Sequence, residues 1–151
     1  MFAAACRVAP VVAEASEEDE LSLEAYGRNL GIAFQLTDDV IDYASDTATM
    51  GKGVGDDFRD GKMTLPVILA YARGSEDDRA FWRSAMGGER ISDEDLAHAI
   101  ALLRSTDALS DTVERARQYG RRAIDALTKF PASKAKAALV EAAEFAVARA
   151  Y

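Results

Sequence analysis

Asp38, Asp39 and Asp42 are grouped in the segment FQLTDDVID, and a second acidic group, Asp56, Asp57 and Asp60, follows in a glycine-rich stretch. At 100° per helical residue, Asp38, Asp42, Gln35 and Gly31 fall within about 60° of one another, with Gly27 about 20° to the other side of Asp38. Leu36, Val40, Ile32 and Tyr43 fall opposite. One helix face therefore offers two carboxylates a turn apart, an amide, and two glycines expected to leave empty volume beside them. Like charges at i and i+4 destabilise a helix by a few tenths of a kcal/mol, and acids in its C-terminal half oppose the dipole. A cation would remove both penalties. Oxygen donors without His or Cys select Mg²⁺, and so few carboxylates leave coordination positions for water and for a phosphate-bearing ligand. Lys52 and Lys62, each preceded by glycine, supply point charges suited to phosphate oxygens. The competing readings are a solvated acidic face and a calcium loop. The second fails because the loop acids lack alternating oxygen ligands closed by a glutamate at the twelfth position.

The elements that carry these residues belong to a chain of 151 residues with 49% hydrophobic and 29% charged side chains, enough for one domain over 1–151 with one core. Lys plus Arg total 18 against 26 Asp plus Glu, for a net charge of -8. That balance excludes a broad nucleic-acid or anionic-membrane surface. The single cysteine, Cys6, excludes an internal disulfide and a cysteine-built zinc site and points to a reducing compartment, so a cytoplasmic location is expected. No apolar run reaches the roughly 18 residues of a transmembrane segment. The leading FAAACRVAPVVA lacks the basic start of a signal peptide and is broken by Arg7.

Helical spacing runs through the chain, Ala is abundant, and Val and Ile are too scattered for alternating strands, so the expected class is all-α, a helical bundle. A first helix is expected over 2–12. Ser16 followed by Glu17, Glu18 and Asp19 starts a second. It should run to about residue 45, roughly 42 Å. A glycine-rich loop over 46–63 follows. Thr64 and Pro66 restart a helix that Gly74 stops, and further helices are expected over about 77–86, 92–103, 107–128 and 133–149. Ser16, Ser92 and Ser133 read as caps. His98 reads as a surface or packing residue, and Trp82 with Phe81 and Phe145 with Val147 as packing residues, rather than catalytic ones.

GIAFQLTDDVID followed by GKGVGDDFRDGKMTLP resembles the second aspartate-rich region of the trans-isoprenyl diphosphate synthases, the polyprenyl synthetase family. FPASKAKAAL and the end containing Arg149 resemble its long-chain octaprenyl and decaprenyl members. The resemblance implies the C-terminal half of an isoprenoid synthase fold. It also implies a prenyltransferase reaction of isoprenoid biosynthesis, the Mg²⁺-dependent condensation of an allylic prenyl diphosphate with isopentenyl diphosphate. Carried over by position, Asp38, Asp39 and Asp42 would form the metal site, with Asp38 the direct ligand and Asp42 acting through metal-bound water. Lys52 and Lys62 would hold the allylic diphosphate and share the catalytic work with Asp38. Phe34 and Gln35 would border the isopentenyl site, and Asp56 would support the loop or the metal.

Family members run to roughly twice this length, and the first DDxxD motif, the arginines after it and a diphosphate-binding KT dipeptide have no counterpart here. The chain is therefore expected to be a truncation, a proteolytic piece or a split subunit, inactive alone and paired with the missing N-terminal half of the fold. A non-catalytic helical subunit or interaction module of a heteromeric prenyltransferase is the alternative. Helices shaped to pack on an absent half should expose apolar patches, so a homo-oligomer, most simply a dimer, is expected.

Overall fold

The computed structural model describes residues 1–44, 55–87 and 91–149. Among them the chain forms α1 (Phe2–Val12), α2 (Glu17–Ala44), α3 (Asp56–Arg59), α4 (Leu65–Arg73), α5 (Glu76–Gly87), α6 (Asp93–Ser105), α7 (Ala108–Ala126) and α8 (Lys134–Ala148), with no strand among the described residues. The all-α expectation holds, and the helix ends fall where the cap residues put them. The hydroxyl of Ser16 accepts from the N–H of Asp19 at 3.2 Å, that of Ser92 from Asp95 at 3.1 Å, and that of Ser133 from Lys136 at 3.1 Å. Pro66 sits in the first turn of α4, where its missing N–H has no helical partner to lose. No helix among the described residues is long and apolar enough to cross a membrane.

The chain packs as two compact units, Met1–Thr37 with Glu114–Tyr151, and Asp38–Val113. In the first, Tyr26, Ala123, Leu127 and Ala143 form the buried core. The Tyr26 hydroxyl, shut into that core, donates to the carbonyl oxygen of Leu139 at 2.8 Å. Gly27 and Gly31 let α1 lie close on α2. A Cβ on Gly27 would fall 2.6 Å from the carbonyl oxygen of Phe2, and one on Gly31 would fall 3.1 Å from the Phe2 side chain. This corrects the expectation of empty volume beside the glycines, because close helix packing consumes it. A second correction concerns Phe145, which is 68% exposed rather than packed between helices. It lies on α8, whose buried residues Ala143 and Ala146 face away from it.

In the second unit, Tyr43, Phe58, Val67, Trp82 and Leu103 anchor one apolar core. Phe58 meets Trp82 edge to face, with centroids 5.9 Å apart. His98 stands edge-on to Phe81 at 4.5 Å, in the packing role expected of it. The expected loop is irregular only in part. Residues 45–54, which include Lys52 and three of the loop residues Asp46, Gly51 and Gly53, lie outside the described residues, while Gly55 begins the turn of α3. Gly55 has φ 77°, in the left-handed region that favours glycine, and an added Cβ would also fall 2.3 Å from the Leu96 side chain.

Candidate functional site

The acidic end of α2 and the segment from Gly55 to Thr64 belong to the second unit and are stitched together by hydrogen bonds. The carbonyl oxygen of Asp42 accepts from the N–H of Gly55 at 2.8 Å, and Oδ2 of Asp42 accepts from the N–H of Asp57 at 3.1 Å. Phe58 is fully buried, so α3 is pinned on its apolar side by the core and on its polar side by Asp42. That explains why a four-residue helix persists where the glycine content alone predicts irregular chain.

The three aspartates of the motif are not equivalent. Asp39 is 5% exposed, whereas Asp38 and Asp42 are half-buried. Burial pushes the Asp42 carboxyl above its ordinary value, and the charges of Asp57 and Asp56 push in the same direction, only partly offset by amide donors. A half-buried carboxylate crowded by other acids favours a proton or a metal cation. The donor set of α2 is oxygen alone, which suits Mg²⁺ with the rest of its coordination filled by water and phosphate oxygens. Among the described residues, no three His, Cys, Asp or Glu side chains converge as a complete metal site.

Lys62 reaches the same group of residues. Its Nζ lies 2.7 Å from Oδ1 of Asp57 and 3.1 Å from Oδ2 of Asp60, and these hydrogen bonds raise the ammonium pKa. Its side chain is 55% exposed, which leaves room for a further anionic partner. The structure thus brings Asp42, Asp57 and Lys62 into one connected set. Lys52 lies outside the described residues. Asp56, expected to support the loop or the metal, has an exposed side chain while its N–H acts on Asp42, and the carboxylate of Asp57 binds Lys62. The paired aspartates of GDD point in two directions on a short helix, a difference that depends on where the chain packs and not on their spacing.

Phe34 and Gln35 belong to the first unit. The Phe34 ring lies 5.7 Å from that of Phe2, and the Arg149 guanidinium sits over the Phe34 ring at 4.8 Å from its centroid. Gln35 is exposed.

Comparison with known proteins supplies a frame for this geometry. The family model for polyprenyl synthetase matches residues 1–103. An octaprenyl diphosphate synthase from Haemophilus influenzae is 39% identical over 100% of this chain and 46% of its own length. A decaprenyl-diphosphate synthase subunit 1 from Schizosaccharomyces pombe is 33% identical over 99% of this chain and 38% of its own length. The chain spans about half the length, or less, of these curated relatives. Among solved structures, a polyprenyl synthase from Caulobacter crescentus complexed with calcium and isoprenyl diphosphate superposes with a TM-score of 0.90 at 43% identity, covering 99% of this chain and 46% of that one. A decaprenyl diphosphate synthase from Rhodobacter capsulatus gives 0.91 at 39% identity, with 99% and 46% covered.

Proposed function

The chain belongs to the polyprenyl synthetase family, and from that premise we propose that it supplies one wall of a prenyltransferase site that joins an allylic prenyl diphosphate to isopentenyl diphosphate in the cytoplasm. The observation that carries this reading is the connected set Asp42, Asp57 and Lys62, in which a carboxylate and an ammonium group share one residue as neighbour. In the proposal Asp38 and Asp42 hold Mg²⁺, and the buried Asp39 supports them from the core side. Bound there, Mg²⁺ supplies positive charge against the negative charge that develops on a departing diphosphate. Lys62 and Lys52 direct their ammonium groups to the same diphosphate. By the family resemblance, Phe34 and Gln35 are the residues proposed to border the isopentenyl group.

The 151-residue chain is proposed to bind without turning over, because the facing ligands and the rest of the apolar cavity come from a further segment of polypeptide, and to associate as a homo-oligomer. Titration calorimetry with inorganic pyrophosphate, with and without Mg²⁺, tests the binding claim. Heat that appears only with Mg²⁺ and is lost in Asp38→Asn supports it. Equal binding without the metal, or none at all, sinks it. Prenyl product formed by the 151-residue chain alone from geranyl diphosphate and isopentenyl diphosphate would show that one wall is sufficient.

A further inference from the structure

Asp57 makes three contacts that run in two directions. Its N–H donates to Oδ2 of Asp42 at 3.1 Å. Its carbonyl oxygen accepts from the N–H of Lys62 at 2.9 Å, and its Oδ1 accepts from the Lys62 ammonium at 2.7 Å. Asp60 makes only the weaker side-chain approach to Lys62, at 3.1 Å, and its side chain is 64% exposed against 21% for Asp57. One residue therefore fixes both the start and the end of the lysine side chain while holding the carboxylate of α2.

Building on the function proposed above, we propose that Asp57 is a positioning residue for diphosphate binding: it fixes the direction of the Lys62 ammonium while its own N–H is bonded to Asp42, so that the lysine and the metal-bearing carboxylates meet the same diphosphate. A lysine has a long, freely rotating stem, and the freedom it would lose on binding is already restricted in the free protein. Asp57 also carries a negative charge close to where a polyanion would bind. Simple Coulomb repulsion therefore predicts that neutralising Asp57 strengthens binding, whereas positioning predicts that it weakens binding. The sign separates the two.

Calorimetry with Mg²⁺ and inorganic pyrophosphate should find Asp57→Asn and Asp57→Ala roughly fivefold to tenfold weaker than the unaltered chain, with Asn the milder of the pair because its amide oxygen still accepts from Lys62. Asp60→Asn should stay within about twofold or bind more tightly. In a Lys62→Met background, Asp57→Asn should have no further effect. Tighter or unchanged binding in Asp57→Asn overturns the proposal. So does an equal loss in the Lys62→Met background, because Asp57 would then act on the ligand or the fold without the lysine. A second measurement needs no ligand: acylation of Lys62 at fixed pH, followed by mass spectrometry, should be at least threefold faster in Asp57→Ala and unchanged within twofold in Asp60→Asn. Equal rates in all forms overturn the positioning role whether or not pyrophosphate binds, whereas absent pyrophosphate binding by the unaltered chain counts against the functional reading and leaves the labelling to decide this one.

Discussion

Gly27 lies so close beneath Cys6 that a Cβ built on the glycine would fall 2.8 Å from the cysteine sulfur. The contact joins α1 to α2 and sets the sign of a substitution. Replacing an interior helical glycine by alanine ordinarily gains about 0.5–1 kcal/mol through backbone entropy. At Gly27 the new methyl would also meet the Phe2 carbonyl oxygen at 2.6 Å, and backbone cannot rotate aside. Overpacking of this kind costs about 1–3 kcal/mol, so Gly27→Ala should be destabilised in urea titration. Gly87 ends α5 with nothing within 4 Å of an added Cβ, so Gly87→Ala should be neutral or stabilised in the same titration.

Cys6 is itself partly buried, packed against the core of the first unit. Burial raises its thiol pKa above the ordinary value, so the thiolate fraction at a given pH is smaller than in an unfolded chain. Reaction with a coloured disulfide reagent at pH 8 should be at least about tenfold slower for the folded protein than for the protein in denaturant, and should accelerate as the pH rises through the elevated value. Comparable rates in the two states would show that the thiol is open to solvent.

Three helices begin with a serine followed three residues later by aspartate: Ser16 with Asp19, Ser75 with Asp78, and Ser92 with Asp95. All three carboxyls are held below their ordinary value, Asp19 chiefly by Lys129, Asp78 by the Ser75 hydroxyl and Asp95 by the Ser92 N–H. A depressed folded pKa means stability that is fully present above the unfolded value of about 3.9 and lost as pH falls through the folded one. Thermal melts should therefore be flat from pH 7 to about 5 and fall below about 4. At pH 7, Ser92→Ala should cost about 1 kcal/mol through loss of the cap.

The helices were legible because their signals are local: a serine before acids, a proline in a first turn, a glycine after the last apolar residue. What was not legible depends on contacts between elements. α3 holds because Phe58 enters the core and Asp42 takes the Asp57 amide, and neither partner is near in sequence. The glycines of α2 were identified as one face, but whether that face met a cavity or a helix depended on where α1 went. In the candidate site, the spacing of DDVID and of Lys62 is visible in the sequence, whereas the different contacts of Asp56 and Asp57 depend on which side of a single helical turn each occupies.

Phe145 and Phe58 show the same difference in measurable form. Phe58 is fully buried against Phe81 and Trp82, so Phe58→Ala should cost about 3–5 kcal/mol. Phe145 is 68% exposed, and Phe145→Ala should stay within about 0.5 kcal/mol in chemical denaturation. If the chain self-associates through α8, Phe145→Ala should instead lower the association constant seen in sedimentation while leaving the denaturation curve in dilute solution unchanged.

On the function proposed above, the burial difference within the aspartate motif predicts different responses to substitution at Asp38 and Asp39. Carboxylates that are almost fully enclosed are found paired, and removing one strands the group it served. Asp39, at 5% exposure, should therefore behave as part of the core, with Asp39→Ala losing about 1–3 kcal/mol of stability. Asp38 stands one turn from Asp42 on the half-buried side, where removing one of two like charges relieves repulsion worth a few tenths of a kcal/mol. Asp38→Asn should accordingly keep or slightly raise the melting temperature while losing Mg²⁺-dependent pyrophosphate binding. Differential scanning calorimetry alongside the binding titration distinguishes the pair. A stability loss in Asp38→Asn as large as that in Asp39→Ala would place both carboxylates in the structural class and remove Asp38 from the metal.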